Sequence, residues 1–217
     1  MSPQKEEGSS KDTWQAWEGI YRRQPRTWRG PADISTEPLM NGIVLELGCG
    51  TGKTLRSLGD ARLVAALDVS GAALRACRSR GAPGNAELFR GDVTRLPLRD
   101  SCVDFVLAHH VLGHLLAAER SLATEEITTV MRPGGLLSVR VLSPDDLRAS
   151  EGEEIEPMTF AKGTGVFTHH FVESELESLF PKLEMRSMRR VEAERNFRGR
   201  RALRSEIVAE FERPGSG

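Results

Sequence analysis

Cysteine is scarce in this chain. Only Cys49, Cys77 and Cys102 occur among 217 residues, with no C-x-x-C pair. That excludes a disulfide framework and points to free thiols in a reducing compartment. Aromatic residues are also few, at 6%, and all three Trp and the single Tyr lie between residues 14 and 28. Net charge is nearly absent. The 30 Lys and Arg against 31 Asp and Glu leave −1, so no global field draws the chain to nucleic acid or a membrane. Lysine is rare beside arginine (25 of the 30 basic residues are Arg), which reads as genome composition. No apolar run reaches membrane-spanning length, and Met1-Ser-Pro-Gln-Lys-Glu-Glu7 lacks the apolar centre of a signal peptide. A cytoplasmic protein without membrane contact is the expectation. What remains is ordinary for a globular protein, 39% hydrophobic and 28% charged, in a chain long enough for one α/β domain with a real core.

The most informative stretch is Ile43-Val-Leu-Glu-Leu-Gly-Cys-Gly-Thr-Gly52. Its apolar start is what a strand buried on both faces looks like. Gly48, Gly50 and Gly52 then let the chain bend sharply and bring its backbone close to a ligand. A helix over residues 53–58 would aim its unpaired N–H groups at the same place. A dinucleotide site needs G-x-G-x-x-G, whereas here the third glycine comes one residue early. Glu46, two residues before the first glycine, would repel a pyrophosphate and suits a ligand carrying an ammonium group. The segment Glu46-Leu-Gly-Cys-Gly-Thr-Gly52 resembles motif I of the class I S-adenosylmethionine-dependent methyltransferases. In that family the glycine loop holds the methionine part of the cofactor. The order of weaker signals agrees over residues 43–142: Arg95-Leu-Pro-Leu-Arg-Asp100 before the fourth strand, and Arg132-Pro-Gly-Gly135 before the fifth.

Strand and helix alternate along the chain. Strands are expected at 43–47, 63–67, 86–89, 103–108 and 136–142, with helices at 71–80 and 119–131 between them. This predicts an α/β protein with a parallel, doubly wound sheet. The resemblance makes it a three-layer sandwich: a mostly parallel seven-stranded sheet, helices on both faces, the last strand antiparallel. A short helix at 173–179 and strands at 183–191 and 203–211 complete the set. Residues 1–11 read as a disordered tail and 12–40 as an N-terminal helical lid segment. Residues 41–213 read as the Rossmann-like domain, with a long insertion at 145–170 that such loops use for function or motion.

The resemblance assigns cofactor contacts to Glu46, Gly48, Cys49, Gly50, Thr51 and Gly52 at the methionine end, Asp68 and Val69 at the ribose, and Asp92 and Val93 at the adenine. Asp68 would otherwise be a helix-start acid ahead of Ser70, and Asp92 a turn acid. His109 stands at a strand end facing the cofactor and is assigned a contact there. No Asn-Pro-Pro-Tyr-like signature follows the fourth strand. Ala108-His-His-Val111 stands instead, against an amino-directed DNA or protein-glutamine methyltransferase.

Methyl transfer is an in-line displacement that needs orientation and dry surroundings, and a base only where the nucleophile carries a proton. His109 and His114 are the candidate bases, although a packed histidine is the simpler reading of His114. No metal site is expected. Tyr21, Trp28, His169 and His170 are candidate substrate contacts, while Trp14 and Trp17 read more simply as an aromatic stripe packed on the sheet. A small molecule is the first expectation for the acceptor. RNA is the alternative, through Arg198, Arg200 and Arg201 in the turn of the last hairpin. Two rivals from other classes are a nicotinamide oxidoreductase and a non-catalytic partner protein that keeps the fold.

Overall fold

The computed structural model describes residues 10–24, 41–197 and 199–215. Trp28 and Arg198 lie outside them, as do residues 1–9 of the expected tail. Helix α1 (Ser10–Arg23) begins within the end of that tail.

The strand over Ile43–Leu47, β1, is apolar on both sides because it is covered on both sides. Leu45 and Leu47 belong to one core cluster and Val44 to another. The first cluster lies under helices α3 (Ala117–Val130) and α4 (Glu173–Ser178), which contribute Ala123, Ile127 and Leu176, with Phe180 following α4. The second lies under α2 (Gly71–Ser79), which contributes Leu74 and Cys77. The further strands are β2 (Leu63–Asp68), β3 (Ala86–Arg90), β4 (Val103–His109), β5 (Met131–Leu142), β9 (Glu184–Phe197) and β10 (Arg200–Glu212). They form a seven-stranded sheet in the order β3-β2-β1-β4-β5-β10-β9. β10 runs antiparallel to both its neighbours, and the remaining pairings are parallel. The strand order reverses between β1 and β4, where open α/β sheets bind ligands at the carboxyl edge.

Three local expectations are corrected. The helix after the glycine turn is only one 3-10 turn, Leu55–Ser57. Leu55 and Leu58, three apart, both bury in the second cluster, and that spacing suits the tighter helix. Gly59 and Asp60 then reverse the chain toward β2, with Asn41 N–H bonded to the Asp60 carbonyl. Pro133-Gly134-Gly135 ends α3 but lies inside β5, which starts at Met131. A register shift against β4 absorbs this, with Gly134 at φ 76°. The 145–170 insertion is folded. It carries a three-stranded antiparallel sheet, β6 (Glu153–Glu156), β7 (Thr159–Ala161) and β8 (Phe167–His169). No helix among the described residues is long and apolar enough to cross a membrane.

Candidate cofactor and acceptor site

The glycine turn is fixed from the neighbouring strand. Leu67 C=O accepts from Cys49 N–H at 2.9 Å, and the Asp68 carboxylate accepts from Gly50 N–H at 2.8 Å. Gly50 (φ 54°) and Gly52 (φ 77°) need the left-handed conformation that glycine allows. Space demands glycine as well: a Cβ at Gly50 would meet the Tyr21 hydroxyl at 2.8 Å, and one at Gly52 would meet Cys77 Sγ at 2.5 Å.

Beside this turn opens a cavity of about 410 Å³. Of the residues assigned to the cofactor, Glu46, Gly48, Cys49, Gly50, Thr51, Asp68, Val69, Asp92, Val93 and His109 line this cavity, while Gly52 stands behind the wall against Cys77. Glu46 is only 5% exposed, and its Oε2 has no hydrogen-bond partner. An orphaned carboxylate oxygen in a cavity wall is costly. Burial, opposed by a hydrogen bond with Thr54 and reinforced by the Asp68 charge, pushes Glu46 up to about 8. Burial likewise raises Asp68 to about 6, against the N–H groups of Ser70 and Gly50 that favour its ionised form. The second Asp68 oxygen accepts from Ser70 N–H at 2.8 Å. Each oxygen keeps a further lone pair for a ligand hydroxyl. Asp92 caps its own turn, accepting from Thr94 N–H at 2.9 Å.

The histidines separate by location. His109, His110 and His114 line the cavity. His109 Nε2 lies 3.0 Å from Ser138 Oγ, and His110 Nε2 lies 3.1 Å from Glu206 Oε1. His114 Nδ1 lies 2.7 Å from the Phe167 carbonyl, and burial pushes the ring down to about 4. His169 and His170 are buried, 3% and 0% exposed, and are not in the cavity wall. His169 bridges Thr159 Oγ1 at 2.7 Å and Glu175 Oε1 at 2.8 Å. Strand parity explains His169: alternate residues face opposite ways, and Val166 and Thr168 take the cavity side; His170 follows the end of β8.

Helix α1 forms another wall through Thr13, Trp14, Trp17, Ile20 and Tyr21. Trp14 and Trp17 therefore line the cavity instead of packing on the sheet. Trp17 stacks on Tyr21 at 5.8 Å and meets the His114 ring edge-on at 4.8 Å. The cause is Glu18, which sequence reading missed. Its carboxylate accepts from Ser70 Oγ at 2.8 Å and Ala72 N–H at 2.9 Å, tying α1 to the start of α2. Also missed were Lys53, Arg140, Arg148 and Lys162, which line the cavity together with Arg204 of the arginine-rich last hairpin. None sits in a local pattern that would have marked it. Among the described residues, no group of three His, Cys, Asp or Glu side chains is arranged to hold a metal ion.

A glycine turn at the carboxyl edge of a parallel sheet, backed by a buried acid and flanked by acids ending the next two strands, defines an α/β protein with a nucleotide-type cofactor site. The family profile described as "Methyltransferase domain" matches residues 45–139. Malonyl-acyl-carrier-protein O-methyltransferase of Pectobacterium atrosepticum is 35% identical over 133 residues, covering 59% of this chain and 51% of that protein. The tRNA (carboxymethyluridine(34)-5-O)-methyltransferase of Arabidopsis thaliana is 32% identical over 107 residues, covering 48% of this chain and 25% of that protein. This chain thus matches about half or less of the length of these relatives. A solved 1,6-didemethyltoxoflavin-N1-methyltransferase of Burkholderia thailandensis, holding its substrate and S-adenosylhomocysteine, shares the fold. Its TM-score is 0.72 at 16% identity, over 99% of this chain and 93% of that one. Residues 45–139 thus match a methyltransferase domain, and the chain has the Rossmann-like fold of solved S-adenosylmethionine-dependent methyltransferases.

Proposed function

We propose that this protein transfers the methyl group of S-adenosylmethionine to a small-molecule acceptor. The observation that carries the reading is the orphaned Glu46 oxygen beside the glycine turn. A ligand ammonium would satisfy it, and a pyrophosphate would not. Asp68 takes the ribose hydroxyls with Val69 beside it, Asp92 and Val93 border the adenine, and His109 contacts the cofactor from the end of β4. The bound cofactor supplies an electrophilic methyl group on a sulfonium. The chain's own work is to orient the acceptor in line and keep water out. Helix α1, at the start of the proposed lid segment 12–40, serves as the roof through Trp14, Trp17 and Tyr21, and the insertion supplies the facing wall through Val166 and Thr168. Tyr21 and His114 then border the acceptor. Trp28 remains a proposed acceptor contact, while the buried positions of His169 and His170 favour a supporting role behind the wall.

The proposed location is the cytoplasm, in keeping with three unpaired thiols. RNA is the second reading, favoured by the tRNA methyltransferase among the relatives. The arginines of the last hairpin support it weakly, because Arg201 already pairs with Glu194 at 3.4 Å, both side chains well exposed.

Calorimetry tests the cofactor. S-adenosylhomocysteine should bind with one-to-one stoichiometry and reduced nicotinamide dinucleotide should not. Binding of the nicotinamide alone would reject the proposal in favour of an oxidoreductase. Transfer of labelled methyl to a small-molecule fraction of a cell extract, and not to its RNA, separates the two acceptor readings.

A further inference from the structure

The cavity is electrically polarised along the sheet. Three of its four acids come from one half of the strand order, Asp92 after β3, Asp68 at the end of β2 and Glu46 in β1; the fourth, Glu119 in α3, already accepts from Leu116 N–H at 2.9 Å. Its cations come from the other half and the segments above it: Arg140 in β5, Arg204 in β10, Arg148 after β5, Lys162 after β7, with Lys53 beyond the glycine turn. Three carboxylates hold part of this charge. Glu206, 8% exposed at its side chain, receives His110, Arg140 and Arg204. Asp146, wholly buried at its side chain, holds the Arg148 Nε at 2.9 Å and lies 4.0 Å from Arg204. Glu151 lies 3.2 Å from Lys162.

Two donors are left over. Lys53 has no hydrogen bond or ion pair among the described residues. Arg148 Nη2 is buried without a hydrogen-bond partner. A buried cationic donor without an acceptor is an unstable arrangement unless a ligand completes it. Five cations against three engaged carboxylates leave this end of the cavity positive, opposite the acid end that suits the cofactor's ammonium.

We propose that this end is a built anion site, and that the methyl acceptor is a small molecule bearing a carboxylate or phosphate held by Lys53 and Arg148. The proposal rests on the methyltransferase reading. It explains why the acceptor wall is ordered by buried acids: Asp146 and Glu206 set the guanidinium groups in place, and the acceptor's own negative charge completes the set. Charge-assisted hydrogen bonds from a planar Arg fork and a Lys point charge give such a site both orientation and attraction. If the anion is itself the nucleophile, a carboxylate oxygen forms the new O–C bond as the C–S bond breaks. The electron pair goes to sulfur, no proton moves, and a methyl ester and a neutral thioether result.

The test is calorimetry on protein saturated with S-adenosylhomocysteine, at fixed ionic strength. The probes are malonate, succinate, glycerol phosphate and inorganic phosphate, with malonamide and glycerol as neutral controls. Anions should bind and the neutral controls should not. Preference for the dicarboxylates or for the phosphates identifies the source of the charge. Lys53→Met should weaken the anion by about tenfold, the loss expected of one charge-assisted contact. Arg148→Lys, which keeps a charge beside the buried Asp146, should do the same through loss of the fork. S-adenosylhomocysteine affinity should stay within about twofold in both variants, on the additivity expected of separate sites. The proposal is overturned if no anion binds the loaded protein, or if neutral controls bind equally. It is overturned too if Lys53→Met weakens S-adenosylhomocysteine and spares the anions, because the ammonium would then serve the cofactor's own carboxylate. If the parent protein binds no S-adenosylhomocysteine at all, the cofactor reading falls and takes this one with it.

Discussion

Glu46 shows how one residue couples folding to binding. Its carboxyl is raised from 4.5 to about 8 because burial disfavours the charge. The folded state therefore holds a proton that the unfolded chain releases above pH 4.5. The sign follows: stability is highest below the unfolded value and is lost as pH rises toward about 8. Asp68, raised from 3.8 to about 6, acts in the same direction at lower pH. Burial holds His114 and His170 down at about 4 and opposes this trend below the ordinary histidine range, so the ligand-free protein should melt at progressively lower temperature from pH 7 to pH 8.5, and Glu46→Gln should flatten that slope in a pH series of melting curves. A ligand ammonium reverses the balance by favouring the ionised carboxylate. Binding of S-adenosylhomocysteine at pH 7 should thus release protons, read from calorimetric enthalpies in buffers of different ionisation heat. Glu46→Gln should abolish that release and cost about tenfold or more in affinity, as expected for a lost charge-assisted contact. An unchanged proton count would remove Glu46 from the cofactor site.

At the scale of elements, the question is what holds α1 over the cavity. The Glu18 carboxylate receives Ser70 and Ala72 and pairs with Arg22 and Arg75 at 3.1 Å and 3.3 Å. Burial opposes its ionisation, yet these donors prevail and hold it at about 2. The anion also faces the start of α2, where the helix dipole favours it. Glu18→Ala should loosen α1 without unfolding the sheet. Trypsin should then cleave faster after Arg22 and Arg23, and S-adenosylhomocysteine affinity should fall several-fold. Thermal stability of the core should change by no more than about 2 kcal/mol, the range for hydrogen bonds to a charged group. Equal protease resistance in parent and variant would show that the roof is held by its aromatic contacts alone. The aromatic stripe was legible in the sequence, since Trp14, Trp17 and Tyr21 share one helix face. Its target was not, because Glu18 meets partners 52 and 54 residues away. The short turn at Leu55–Ser57 was misread for a related reason: the glycines announce a helix start, but the reversal at Gly59 leaves it no length.

For the whole molecule, the distribution of charge decides which acceptor fits. The exposed face of β9 and β10 is rich in arginine, yet much of that charge is neutralised locally. Arg186 pairs with Glu212, Arg190 with Glu173 and Asp145, and Arg201 with Glu194. Such pairs are worth little for stability but cancel the field a polyanion would feel. The protein should therefore show no salt-dependent binding to bulk tRNA at physiological ionic strength, and neutralising Arg195 and Arg201 together should leave small-molecule methyl transfer unchanged. Salt-sensitive tRNA binding that those substitutions remove would favour the RNA reading. Within the cavity the charge is concentrated, because dry walls strengthen the attraction of a few fixed cations.

Local pattern settled a large share of this protein. The apolar run, the glycine spacing and the alternation of strands and helices were enough to specify the parallel sheet, its glycine turn and the acids beside it. Each of those signals spans a few residues, and backbone sterics and burial act at that range. The acceptor half was decided only by tertiary folding. Lys53, Arg140, Arg148, Lys162 and Arg204 come from a turn, two strands and two connections. The parity of β8 turned Thr168, not His169, toward the cavity. Long-range assembly depends on which surfaces bury together, and no short window of sequence carries that information.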